Sequence, residues 1–185
     1  MEYLLYVLLG IGLAAACGFR VFVPFLVISI AALTGHLRLA PDFAWLGSWP
    51  ALIVFGVATV FEIVAYYVPW LDHVLDIGAT PAAVVAGIVV TASVVTGMSP
   101  VLRWSLAAIA GGGVAAAVQL ATVALRRAST YATAGLAHPL ASTLETGGSI
   151  GMSILSLLLP FVAGTLAILL ILIAARWLVR RRPRI

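Results

Sequence analysis

Charged and polar side chains are rare in this chain of 185 residues, so each one within an apolar run stands out. Glu62 falls inside the run from about Ala51 to Val68. An ionisable group there is costly, so it must turn inward and find a partner. It is the leading candidate for a working site, with a structural ion pair to Arg20 or Arg126 as the alternative. Arg20 lies in Gly18-Phe19-Arg20-Val21-Phe22-Val23-Pro24-Phe25, beside an expected helix break. Its guanidinium could bond the open carbonyls ending the preceding half-helix. It could equally bind an anionic substrate, since planar forked donors suit phosphate and carboxylate. Gln119, Arg126, Arg127 and Glu145 complete a candidate substrate-binding set. Asp72 and Asp76 are four apart with His73 adjacent, so on a helix the two carboxylates share a face. They could hold a divalent cation through oxygens, the one cofactor the sequence suggests. A solvated acidic connector is the alternative. His36 and His138 are lone histidines. Cys17, the single cysteine, excludes an intramolecular disulfide and a Cys-based zinc site. There is no nucleotide-binding glycine loop, HExxH or serine-nucleophile elbow, and no catalytic residue is assigned.

The elements that position these residues follow from composition. The chain is 64% hydrophobic and 9% charged, against roughly 25% charged in a soluble domain. A soluble fold of this size could not hide so much apolar surface. The expectation is an all-α polytopic membrane protein, a single domain over 1–185 with about five to six membrane segments and kinked or broken helices. A membrane span takes about 20 apolar residues. The stretch from Tyr3 to Leu33 would run about 46 Å as one helix, too long for an untilted span. Gly18 and Pro24 favour a break or kink in its middle. Met1-Glu2-Tyr3 has no basic stretch before the apolar run, so the N-terminus reads as retained.

Residues 35–49 read as an interfacial connector, with Trp45 and Trp49 at headgroup depth. The second span covers about Ala51 to Val68. Residues 69–80 read as a short acidic connector, followed by a span from about Pro81 to Thr96. A tight turn at 98–103 precedes a span from about Trp104 to Leu125. The Gly111-Gly112-Gly113 at its heart suggests close helix approach. Ser129 to Gly148 is either a mobile outer loop or a re-entrant element lining a cavity. The last span occupies part of 151–178, kinked by Pro160. Val57–Glu62 resembles Val114–Gln119, and Ala79-Thr80-Pro81 matches Ala137-His138-Pro139 at nearly the same offset. This suggests a helix–loop–helix duplication, 51–97 against 108–155, with Glu62 and Gln119 at equivalent depths.

Charge sets the expected orientation. Five of the ten basic residues, Arg176, Arg180, Arg181, Arg182 and Arg184, crowd the C-terminal end and anchor it in the cytoplasm. Arg103 and Arg38 then fall inside, and 69–80 falls outside with 128–148. Arg126 and Arg127 are the exception, on the outer side near Asp72, Asp76, His138 and Glu145. The net charge of +4 does not suggest nucleic acid. The partners expected are the lipid bilayer, further copies of the chain in a homo-oligomer, and a small solute or lipid ligand.

Cys17 to Phe25 (CGFRVFVPF), Phe61 to Pro81, Ala110 to Gln119 (AGGGVAAAVQ) and Leu144-Glu145-Thr146-Gly147-Gly148 together resemble the bacterial membrane family called domain of unknown function 4126. The Gly-Phe-Arg…Pro and Glu-Thr-Gly-Gly elements are the more specific parts. The resemblance implies a multi-pass bacterial inner-membrane protein and brings no activity with it. Function therefore rests on the residues. The leading expectation is a small transporter or channel-like protein for a small or anionic solute or a lipid headgroup, since broken helices with charges beside them recur in transporters. The alternatives are a membrane enzyme acting on a lipid or polyprenyl phosphate with a divalent metal, and a non-catalytic scaffold.

Overall fold

A computed structural model describes the backbone of residues 2–65, 69–133 and 138–180. Within these it describes the side chains except those of 2, 69–77, 129–133, 138–139, 174–175 and 177–180. All regular structure among the described residues is helical. The first helix, α1 (Glu2–Cys17), sits at the centre of the molecule. Leu13 through Cys17 are completely buried. Residues this small let neighbours come close, and polar side chains then reach the α1 backbone. Thr91 of α4 (Pro69–Val94) donates to the Gly10 carbonyl at 3.1 Å, and Ser149 of α7 (His138–Leu158) donates to the Ala16 carbonyl at 2.9 Å.

The expected interruption is present: α1 stops at Cys17 and α2 (Phe22–Leu33) starts after four residues. The end of α2 is closed by Gly35, whose φ of +76° suits glycine and lets His36 N–H reach the Ala31 carbonyl at 2.9 Å. A 3-10 helix (Pro41–Gly47) then leads at a 66° bend into α3 (Trp49–Ala65). Trp45 and Trp49 are 54% and 69% exposed at this corner, and Ala40 N–H ties it to the Ser93 carbonyl at 2.8 Å.

Three boundaries differ from expectation, and a fourth, at Pro160, does not. Residues 69–80 are not a connector but the first half of α4, which carries Pro81 inside it. Ser129 to Gly148 is helical where it is described: the helix before it runs on to Thr133, α7 starts at His138, and 134–137 lie outside the described residues. Polarity misled in both cases, because helices tolerate polar residues on a face that finds partners. The turn expected at 98–103 lies a few residues earlier, around Gly97 (φ +76°), and Pro100 opens α5 (Pro100–Leu106). The interruption expected at Pro160 is present: α7 ends at Leu158, and Leu159 N–H still reaches the Leu155 carbonyl at 2.8 Å while Ala163 N–H reaches the Leu159 carbonyl at 3.0 Å. Pro160 begins α8 (Pro160–Arg180), its missing N–H placed where a helix start does not need one.

From α5 the chain continues through a π-helical stretch (Ala107–Gly112) into α6 (Gly113–Thr133). Gly111 shows why glycine is needed there. A Cβ on it would lie 2.5 Å from the Gly87 carbonyl oxygen of α4. Close helix approach, as expected of this glycine run, is thus the work of Gly111, whereas Gly113 faces open space.

The 29 residues from Pro100 to Ala128 form a helix long and apolar enough to cross a membrane, and the bent pair Pro41–Gly47 with Trp49–Ala65 passes the same test taken together. Shorter apolar helices are Tyr3–Cys17, Phe22–Leu33, Gly78–Val94 and Pro160–Ile173. Large apolar side chains lie on the surface around an apolar core, and several charged ones are buried. Ile53, Val57, Phe61 and Val64 of α3 and Leu169, Leu172 and Ile173 of α8 are exposed, while Arg20, Glu62, Arg126 and Glu145 are buried. Hydrocarbon outside and polar partners inside is the arrangement a bilayer selects.

Candidate functional site

The break between α1 and α2 is the centre of the site. Gly18 lets it press against α6, where a Cβ would lie 2.6 Å from Val118 Cβ and 2.8 Å from the Ala115 carbonyl oxygen. Thr122 of α6 donates to the Gly18 carbonyl at 3.4 Å and to the Gln119 carbonyl at 2.8 Å. Two charged residues then fix the two sides of the break.

Glu62 reaches over from α3 to the start of α2. Its Oε1 accepts from Val21 N–H at 2.7 Å and its Oε2 from Phe22 N–H at 3.1 Å. The first N–H groups of a helix have no partner within it, and its dipole places partial positive charge there. No side chain at the α2 N-cap position does this work, so a carboxylate from the next helix does.

Arg20, 1% exposed, points to α7. Its Nη2 donates to the Ser142 carbonyl at 3.0 Å and to Ser142 Oγ at 2.6 Å, and its Nε donates to Thr146 Oγ1 at 3.2 Å. The same Nη2 is 3.8 Å from Glu145 Oε2. Arg126 of α6 grips Glu145 side-on, with Nε donating to Oε1 at 3.3 Å and Nη2 donating to Oε2. Such forked pairing is the strongest form a guanidinium makes with a carboxylate. Glu145 therefore stands between two guanidiniums, all three side chains less than a tenth exposed.

Of the candidate residues, the structure brings Arg20, Arg126 and Glu145 into direct contact. Glu62 joins through the backbone of residues 21 and 22 and lies within electrostatic reach of Arg20, whose guanidinium is also 3.8 Å from Glu145. The carbonyl that Arg20 binds at 3.0 Å belongs to Ser142 of α7. Gln119 is buried on α6 about two turns from Arg126. Arg127 is exposed, away from the cluster. Arg126, expected as an exception to the charge pattern, is buried and paired. Asp72 and Asp76 lie on α4, and their side chains, with that of His138, fall outside the described ones. Among the described residues, no three His, Cys, Asp or Glu side chains converge as metal ligands.

Sequence reasoning missed Ser142, Thr146 and Thr122. A signal existed: Ser142, Ser149 and Ser156 recur at intervals of seven on α7, and all three are buried. A pocket of about 370 Å³ opens beside the cluster. Thr122, Arg126 and Glu145 form its polar end, and Phe19, Leu125, Leu140, Ala141 and Leu144 its apolar walls.

The fold and site define an all-helical protein with large apolar side chains on its surface and a buried charged cluster at a helix break. Its two most specific sequence elements meet there, Gly18-Phe19-Arg20 against Glu145-Thr146-Gly147-Gly148, with Gly148 facing the Phe19 ring. The chain belongs to the family described as Domain of unknown function (DUF4126), which it matches over residues 7–180. No curated protein and no solved structure matches it.

Proposed function

We propose that this protein is a multi-pass bacterial inner-membrane transporter or channel-like protein for a small or anionic solute or a lipid headgroup, with its site at the α1–α2 break. In this reading five to six segments cross or enter the bilayer, the C-terminus is cytoplasmic, and copies of the chain assemble in the membrane. The observation that carries it is the Arg20–Glu145–Arg126 cluster, buried beside interrupted helices in a molecule with an apolar exterior. Transporters place their sites at discontinuous helices, where helix ends and irregular backbone offer polar groups within the membrane. Here one such end, the start of α2, is held by Glu62, which leaves the arginines as the groups suited to an anion.

The test is flux in proteoliposomes of phosphatidylcholine loaded with phosphate, acetate or glycerol phosphate. Release of at least one of these, lost in Arg20→Gln, is expected. Proteoliposomes as tight as empty ones towards all three would overturn the reading. Flux dependent on Asp72 and Asp76 but indifferent to Arg20 would place the working groups on α4 instead.

A further inference from the structure

The pocket next to Glu145 has two unlike ends. Leu125, Leu140 and Leu144 line it from α6 and α7 and are 63%, 68% and 76% exposed. They form a mouth on the apolar outside of the molecule, where acyl chains lie in a bilayer. At the other end stand Thr122, Arg126 and Glu145, each buried. We propose that this pocket binds an amphiphile with an anionic headgroup, its acidic group on Arg126 and its hydrocarbon chain leaving between Leu125, Leu140 and Leu144. The inference deepens the proposed function by naming a ligand class. It depends on that reading only for calling the ligand cargo, since binding is measured without transport.

Three observations fix the class. The volume of about 370 Å³ is near the small end of ligand pockets, which run from roughly 300 to 1,000 Å³. It therefore takes a headgroup and the first part of a chain, with the rest lying on the leucines outside. The walls are apolar up to the polar end, so an ion without a chain would leave them unfilled. The sign of charge follows from Glu145. Its carboxylate is forked on Arg126, with the Arg20 guanidinium 3.8 Å away on its other side. An incoming acidic group can take the place of Glu145 on Arg126 while Glu145 moves onto Arg20, so no carboxylate is stranded. A cationic headgroup would instead have to enter between two guanidiniums. Thr122, whose hydroxyl now turns to backbone carbonyls, sits at the same end and can donate to a headgroup oxygen.

The experiment uses the full chain in nanodiscs of dioleoyl phosphatidylcholine, titrated with dodecyl phosphate, dodecanol, dodecyltrimethylammonium or inorganic phosphate. Bound probe is counted by native mass spectrometry, and thermal unfolding is followed in parallel. Dodecyl phosphate is expected to bind and raise the unfolding temperature, and the other three are not. Arg126→Gln should weaken binding by tenfold or more. Leu144→Trp, a change at an exposed position, should fill the mouth and do the same without touching a charge. Leu120→Trp, exposed on α6 but outside the pocket, serves as the control and should bind normally. If Arg126→Gln fails to fold, the Leu144→Trp and Leu120→Trp pair still decides. Equal binding of dodecyltrimethylammonium overturns the charge assignment, and equal binding of inorganic phosphate overturns the need for a chain. Normal binding in Leu144→Trp, or no binding of dodecyl phosphate at all, overturns the pocket. Binding without flux in proteoliposomes would leave this inference standing while the transport reading fell.

Discussion

Glu145 is the residue whose removal the structure makes most costly. Replacing it with glutamine leaves Arg20 and Arg126 buried against a neutral amide. Breaking a buried pair from one side costs about 3–5 kcal/mol, because the surviving charge is stranded. Arg20→Gln is expected to be damaging by itself, since it also abandons Ser142 and Thr146. Combined with Glu145→Gln, it should cost less than the sum of the single losses, with a coupling of about 0.5–3 kcal/mol for groups in one network. Strict additivity in detergent thermal unfolding would separate the two residues. Glu62→Gln is a different kind of lesion. The amide oxygen can keep one of the two N–H groups of α2 but turns its own N–H₂ towards the other. A loss of about 1.5–3 kcal/mol is expected, the range of a hydrogen bond to a charged group. Restoration by Glu62→Asp would show that charge at the cap, and not chain length, is what α2 requires.

Among the elements, the contact between α4 and the π-helical stretch before α6 is the one set by the smallest margin. Gly111→Ala pushes a methyl group onto the Gly87 carbonyl oxygen, a backbone atom that cannot swing aside. The two helices must then part, at a cost of about 1–3 kcal/mol, typical of overpacking. Gly113→Ala, two residues on, meets nothing within 4 Å and should stabilise by roughly 0.5–1 kcal/mol through the backbone entropy glycine loses on folding. Opposite signs for these two substitutions, read as unfolding temperatures, are the expected result. Equal losses would mean that the run of glycines matters for flexibility and not for approach. The α1–α2 break follows the same logic, since Gly18 admits α6 as Gly111 admits α4.

For the whole molecule, the helix from Pro100 to Ala128 gives the scale. Arg103 and Arg126 lie near its two ends, about 35 Å apart at 1.5 Å per residue, slightly more than a hydrocarbon core. Arg103 is buried and donates to Asp42 of the 3-10 helix at 2.5 Å, with its guanidinium 5.7 Å from the Phe43 ring centre. One end of the molecule is thus held by Asp42–Arg103 and the other by Arg126–Glu145. The proposed orientation puts the first end in the cytoplasm. Whole-cell labelling with an impermeant maleimide checks it, and buried Cys17 supplies little background. His36→Cys, at an exposed position, should stay unlabelled until the cells are opened, while Asp76→Cys should react from outside. The reverse pattern would invert the map.

The sequence by itself pointed to an all-helical class, which the described residues bear out, and 64% hydrophobic residues with 9% charged are what led to the proposed membrane setting. It also pointed to an interruption near Gly18, the glycine-mediated approach around Gly111, and Arg20 and Glu62 as charges that need partners, since an ionisable group within an apolar run is costly wherever the run packs. Who pairs with whom was decided only in three dimensions. Arg20 lies at the α1–α2 break and Glu62 on α3, and Glu62 turns to backbone N–H groups of residues 21 and 22 that are open only because α2 begins at that point. Arg20 meets Glu145, 125 positions away, on a helix whose polarity had left a loop and a re-entrant element both open. Partner choice depends on which helix faces are brought within hydrogen-bond reach, and a linear pattern of residue types does not contain that information.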